Sequence, residues 1–186
     1  MKKILIITAP SGAGKSTLTK RLMEHFPSIA FSISACTRSP RGTEKFGLDY
    51  YFISVEAFEN KIEQHEFVEW EMVYEGKYYG TLNSELERIW DANQMPLFDI
   101  DVKGALKVKE KFGANALSIF IQAPSLEELR ARLEARKTDG AAEIEERLNK
   151  AAFENSFAHQ FDHIIVNDDL EKAAKEITQV VEKFIV

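Results

Sequence analysis

The stretch Ile4-Leu5-Ile6-Ile7-Thr8-Ala9-Pro10-Ser11-Gly12-Ala13-Gly14-Lys15-Ser16-Thr17 decides the fold class. Its four leading aliphatics read as a strand apolar on both faces, the pattern of a central strand in a parallel sheet covered by helices. A run of small residues follows, and from Lys15 to Phe26 the side chains Leu18, Leu22, Met23 and Phe26 recur at helical spacing. Strand, loop and helix in this order are the setting of a phosphate-binding loop. Gly12 and Gly14 let the backbone curl so that successive N–H groups face inward, and the helix N-terminus adds partial positive charge. Lys15 is then placed to reach β- and γ-phosphates, and Ser16 to offer its hydroxyl to Mg²⁺. The general pattern has glycine where this chain has Ala9, a replacement that is harmless if the position does not need positive φ. The competing reading is a glycine-rich turn with a solvated lysine, which the strand–loop–helix context disfavours.

Outward from this loop the same unit recurs. Pro96 to Asp101 leads into a helix over Val102 to Lys111, and Leu117 to Gln122 leads through Pro124 into a helix that Ser125 and Glu128 cap. His163 to Asn167 leads into a closing helix from about Asp169 to Phe184. Strands alternating with helices predict an α/β fold, a three-layer sandwich around a parallel central sheet. The stretch from Ser34 to Thr81 breaks the rhythm and holds all five tyrosines, Tyr50, Tyr51, Tyr74, Tyr78 and Tyr79. Short strands near Asp49 to Ser54, Phe67 to Val73 and Lys77 to Gly80, with a helix over Glu56 to Gln64, predict a small subdomain inserted into the sheet protein. Lys137 to Ala141 separates two charged helices as a turn, suited to a mobile lid.

At 186 residues, with 45% hydrophobic and 29% charged side chains, the chain is in the one-domain range of globular composition. A net charge of -6 argues against a broad nucleic-acid surface or a polybasic membrane anchor, so any anion site is local. One cysteine, Cys36, leaves no intrachain disulfide or multi-cysteine zinc site and fits a reducing compartment, with the cytoplasm expected. No apolar run approaches the ~20 residues of a membrane span.

A P-loop names a nucleoside-triphosphate site and leaves the acceptor open. Arg38-Ser39-Pro40-Arg41 places two guanidinium groups around a proline, and Tyr50 and Tyr79 can add hydroxyls to the same anion. Taken alone, these arginines are more often surface charges. Guanine presents a carbonyl at position 6 and N–H donors at positions 1 and 2, so its reader needs carboxylates and a hydroxyl donor. Glu69 and Asp101 are candidate carboxylates, and Ser34 and Thr81 candidate hydroxyls. The alternatives are a solvent-facing strand residue for Glu69 and a helix N-cap for Asp101. Asp99 should emerge near Asp101 at the carboxyl end of its strand, where one carboxylate can serve the Mg²⁺ shell. Arg132 and Arg136 lie at i and i+4 opposite a Leu126-Leu129-Leu133 stripe, with Arg147 on the next helix. Three arginines converging across the turn compete with plain i, i+4 ion pairs such as Glu128 with Arg132.

Together these motifs resemble the guanylate kinase family of P-loop nucleoside-monophosphate kinases. The resemblance runs through Ser11 to Thr17, Ser34 with Thr37 to Arg41, Gly47 to Tyr50, Phe67 to Trp70, Tyr78 to Thr81, Asp99 to Asp101, Arg132 to Arg136 with Glu146-Arg147-Leu148, and Val166 to Asp169. It implies a core of residues 1–33, 82–124 and 153–186, a GMP-binding subdomain of 34–81 and a lid of 125–152. It also implies the reaction ATP + GMP giving ADP + GDP, with acceptance of dGMP left open because no residue clearly faces the 2′-hydroxyl, Mg²⁺ as cofactor, and no nucleic-acid or membrane partner. Pro10, Ser11, Gly12, Ala13, Gly14, Lys15, Ser16, Thr17 and Asn167 would bind ATP, with Asn167 near the adenine. Ser34, Glu69, Thr81 and Asp101 would read guanine, while Arg38, Arg41, Tyr50 and Tyr79 hold the GMP phosphate. Lys15, Arg38, Arg132, Arg136 and Arg147 would be catalytic, and Ser16, with Asp99 through water, would serve the metal. The chain departs from the family pattern at Ala9, Lys103 and Lys137, and by an extra residue between Glu69 and Gly76 that makes the choice of Tyr79 over Tyr78 depend on its place before Gly80. Two rivals are a peptide-binding module that keeps the fold without the chemistry, and a kinase for a phosphorylated sugar.

Overall fold

The computed structural model describes residues 2–135 and 140–186. Its central sheet is wholly parallel and forms because apolar strands alternate with amphipathic helices that cover both faces. In chain order the first strand is β1 (Ile4–Thr8), and the helix after the P-loop is α1 (Lys15–His25). Two short strands follow, β2 (Ile29–Phe31) and β3 (Ala35–Cys36). Next come β4 (Tyr51–Phe52), α2 (Val55–Glu63), β5 (Phe67–Tyr74) and β6 (Lys77–Leu82). The chain continues through α3 (Asn83–Asp91), β7 (Met95–Asp99), α4 (Val102–Phe112) and β8 (Ala116–Gln122). It ends with α5 (Leu126–Ala135), α6 (Ala141–Asn155), β9 (His163–Val166) and α7 (Leu170–Ile185).

The parallel sheet has the order β2-β7-β1-β8-β9, with Leu5 opposite Leu97 on one side and Leu117 on the other. β1 is central and every one of its residues is buried, as its unbroken aliphatic run requires. Leu5 and Ile7 pack with Leu18 and Leu22 of α1 and Ile177 and Val181 of α7 on one face. Ile4 and Ile6 pack with Leu86 of α3 and Val102, Ala105 and Val108 of α4 on the other. Because β1 and β7 run the same way, the P-loop and Asp99 emerge at the same edge, where parallel sheets hold their ligands.

A second sheet, β4-β3-β6-β5, stands apart from the first and is the inserted β-rich unit. Phe58 of α2 packs on one face of it against Phe67, with rings 4.3 Å apart. Three elements escaped the sequence reading, β2, β3 and α3. β2 has only three residues, whereas the spacing of Leu82, Leu86 and Ile89 was a usable helical signal for α3. α3 also supplies Glu85, which joins the two sheets. Its buried carboxylate accepts from the Ile33 amide (2.9 Å), the Tyr51 hydroxyl (2.8 Å) and the Arg88 guanidinium (2.7 and 2.9 Å). Burial pushes its pKa up, but the hydrogen bonds from Arg88, Ile33 and Tyr51 outweigh that and leave it lowered, so it stays ionised as the tie between the units. Among the described residues no helix is long and apolar enough to cross a membrane.

Candidate active site

The P-loop follows β1 directly. Gly12 and Gly14 hold φ of 97° and 95°, in the left-handed region that a side chain would strain, and Ala9 does not. The departure at Ala9 therefore costs the loop nothing. Gly14 also lies so close to Asn167 that an added Cβ would sit 2.2 Å from its Nδ2. Asn167 is buried beneath the loop, and its amide donates to the Ala13 carbonyl at 2.8 Å. The residue that the resemblance places near adenine therefore also braces the loop. Gly14→Ala should push this amide away and break its bond, lowering the melting temperature by the equivalent of about 2 kcal/mol or more. A thermal melt equal to wild type would contradict that reading.

Lys15 forms an ion pair with Asp99 at the end of β7. Both line a cavity of about 420 Å³ together with Ala9 to Gly12, Gly14, Ser16, Thr17, Asp101, Arg147 and Glu154. Arg147 Nη1 donates to Ser11 Oγ at 2.7 Å, bringing α6 onto the loop. Arg132 points elsewhere: its Nε donates to Glu128 at 2.9 Å, the exposed i, i+4 pair that sequence spacing offered as the alternative. Arg136 and Lys137 lie outside the described residues. Leu129 and Leu133 of α5 pack on the loop, and a Cβ on Gly12 would stand 2.9 Å from Leu129 Cδ1.

A second cavity, of about 340 Å³, opens beside the first and is lined by Ser34, Tyr50, Glu69, Glu71, Tyr79, Asp99, Asp101 and Lys150. Glu69 is not the solvent-facing strand residue that alternation permits. It is buried, accepts the Thr81 hydroxyl at 2.8 Å, and lies against Gly104 of α4, where a Cβ would come 3.0 Å from its Oε2. Burial pushes its pKa up to about 7, the Thr81 hydroxyl holds it down, and nearby Asp101 adds to the rise. Thr81 spends its hydroxyl on Glu69 and is itself buried, so its place is behind the carboxylate. Asp101 caps α4 by accepting from Gly104 N at 2.8 Å, the helix N-cap that its position allowed, and it also lines both cavities.

Arg38 reaches this cavity's aromatic wall. Its Nε donates to the Tyr79 hydroxyl at 3.1 Å, and its guanidinium carbon stands 4.9 Å from the centre of the Tyr50 ring. Glu44, which the sequence reading did not single out, grips Arg38 through two bonds of 2.6 and 2.8 Å and takes the Arg41 amide at 2.8 Å. That grip holds the Glu44 pKa down to about 2. Arg41 is exposed at the rim. The neighbouring Tyr78 faces the other way, stacking 5.2 Å from Phe58, so of these two it is Tyr79 that lines the cavity, with Tyr50. A register shift between Met72 and Tyr74 in the β5–β6 pair takes up the irregularity expected there. Lys103, the departure after Asp101, places its ammonium 5.9 Å from the Phe153 ring of α6.

A P-loop at the edge of a five-stranded parallel sheet, facing a carboxylate-and-aromatic cavity on an inserted sheet, defines a P-loop phosphotransferase with a separate acceptor site. The guanylate kinase family profile matches residues 1–184. A guanylate kinase of Porphyromonas gingivalis is 50% identical over all of this chain and 99% of its own length, and one of Bacteroides thetaiotaomicron is 49% identical over 98% and 90%. The crystal structure of guanylate kinase from Anaplasma phagocytophilum superposes with a TM-score of 0.76 at 35% identity, covering 97% of this chain and 85% of that one. The chain belongs to the guanylate kinase family, the nucleoside-monophosphate kinases that transfer a phosphoryl group from ATP to GMP.

Proposed function

We propose that this chain carries out that transfer with ATP in the P-loop cavity and GMP, or dGMP, in the cavity of the inserted sheet. The observation that supports this most is the shared edge: Asp99, Ile100 and Asp101 line both cavities, so two bound phosphates would meet there. Glu69 and Asp101, with Ser34, would read the guanine edge, and Thr81 would hold Glu69 in place. Arg38, Tyr50 and Tyr79, with Arg41 at the rim, would hold the GMP phosphate. Residues 1–33, 82–124 and 153–186 would act as the core, 34–81 as the acceptor unit and 125–152 as the lid. Arg147 is already against Ser11, and Arg132 would exchange Glu128 for phosphate as the lid closes, with Arg136 as the third arginine of the transfer.

The acceptor is an anionic phosphate at neutral pH, so no general base is needed, and catalysis rests on alignment and charge neutralisation. The donor set around the loop is all oxygen, from Ser16, Asp99, Asp101 and Glu154, which suits a hard divalent cation. No group of three or more ligating side chains forms a cage among the described residues. Ser16 and Asp99, the latter through water, would therefore contribute the protein's share of a site completed by phosphate oxygens. Mg²⁺ bound with ATP draws off phosphate charge there.

Arg38→Ala and Tyr79→Phe test the phosphate grip. Arg38→Ala should raise KM for GMP roughly tenfold or more, and Tyr79→Phe less, with KM for ATP unchanged in both. Steady-state kinetics with each substrate varied in turn decides. A rise confined to ATP would contradict the assignment.

A further inference from the structure

We propose that Lys150 is a further catalytic residue of the phosphoryl transfer, reaching from α6 into the seam between the two cavities, with Glu154 as its positioning residue. The inference rests on the guanylate kinase reading above. α6 presents Arg147, Lys150 and Glu154 at i, i+3 and i+7, one stripe along the face that overlooks the P-loop. Among the described residues four line both cavities, Asp99, Ile100, Asp101 and Lys150, and of these Lys150 carries the positive charge. The other cations lie to either side. Lys15 is at the donor end on Asp99, Arg147 is on Ser11, and Arg38 is in the acceptor wall held by Glu44.

Glu154 explains how a lysine can be held over open space. Its side chain is only 9% exposed, and its carboxylate stands 3.9 Å from the Lys150 ammonium, whose own side chain is 64% exposed. No hydrogen bond satisfies Glu154 among the described residues, and burying a carboxylate so poorly partnered is costly. Burial pushes its pKa up, with the charges of Lys150 and Lys15 opposing that rise. The ammonium within ion-pair range of this buried carboxylate is that of Lys150, with the charges of Lys15 and Asp101 also acting on it. An ammonium is a compact point charge with three rotatable donors on a flexible stem, so it can leave one carboxylate and follow phosphate oxygens through the transfer.

In that transfer the γ-phosphorus gains a bond to a GMP phosphate oxygen. It loses its bond to the β–γ bridging oxygen, which departs on ADP with the electron pair. Lys150 gives up no proton and only offsets charge on the oxygens in flight.

The test is steady-state kinetics, with both substrates varied, on wild type, Lys150→Met, Lys150→Arg and Glu154→Gln. Lys150→Met, at an exposed position, should fold normally and lose kcat by on the order of 100-fold with KM for ATP and GMP little changed. Lys150→Arg should recover most of the loss. Glu154→Gln, similar in shape, should lower kcat by a smaller factor and leave KM alone, a split that loss of packing alone would not produce. Wild-type kcat in Lys150→Met, or a loss carried wholly by one KM, would overturn this inference alone. A wild-type chain that makes no GDP would overturn the parent reading, and this inference with it.

Discussion

Lys15→Ala should yield a folded chain whose turnover is lower by roughly 1000-fold or more. Lys15 is the P-loop's own cation and lines the cavity, and its ion pair with Asp99 lies where phosphate would lie. The pair is partly open to solvent, with both side chains 22% exposed, so losing it should change stability by no more than about 1 kcal/mol. Asp99 would then be left uncompensated at the site where anionic phosphate must bind, so ATP affinity should fall together with kcat. Circular dichroism and a coupled ADP-release assay on the same preparation separate these effects. Turnover near wild type in a folded Lys15→Ala chain would remove the P-loop from the chemistry.

The second large effect is at Glu69, and it has a pH dependence. Glu69→Ala should lower kcat/KM for GMP by about 100-fold while ATP binding stays as it was, because charge-assisted hydrogen bonds to the base are lost. In the free wild-type chain the carboxyl titrates near pH 7, raised by burial and by Asp101 against the opposing Thr81 hydroxyl and Lys107. Accepting guanine N–H groups needs the ionised form. KM for GMP should therefore climb up to tenfold per pH unit as pH falls below about 7, with KM for ATP flat by comparison.

Stability should move the other way. A carboxyl with a folded pKa near 7 and an ordinary unfolded value binds more protons when folded, so the free chain loses about 3 kcal/mol as pH rises from about 4.5 to about 7. Glu69→Gln should abolish that slope and give a more stable but poorer enzyme at pH 8. Chemical denaturation at pH 5 and pH 8 checks this, and parallel slopes for wild type and variant would contradict it.

What could be read from the chain was what depends on short spacing. The P-loop, the buried first strand and the alternation of strands with helices are local patterns, and each is where the residues put it. Tyr79 was separated from Tyr78 by its place before Gly80, and strand alternation gives the same answer. What could not be read depends on contacts between distant segments. Glu69 is buried because α4 approaches at Gly104 and a register shift between Phe67 and Glu69 turns it inward, neither of which leaves a local mark.

Glu85 and Asn167 join segments far apart in the sequence, and neither sits in a pattern that names its partner. Arg132 shows the converse case. Its i, i+4 neighbour Glu128 was visible from spacing alone, and that is the partner it holds.

The most direct test of the account is ADP release from Mg-ATP by the purified chain, with GMP, dGMP, AMP, CMP, UMP and ribose 1,5-bisphosphate offered one at a time. The account predicts rapid release with GMP, release with dGMP, and little with the other four. Preference for the sugar phosphate or AMP, or no transfer from folded protein, would contradict it.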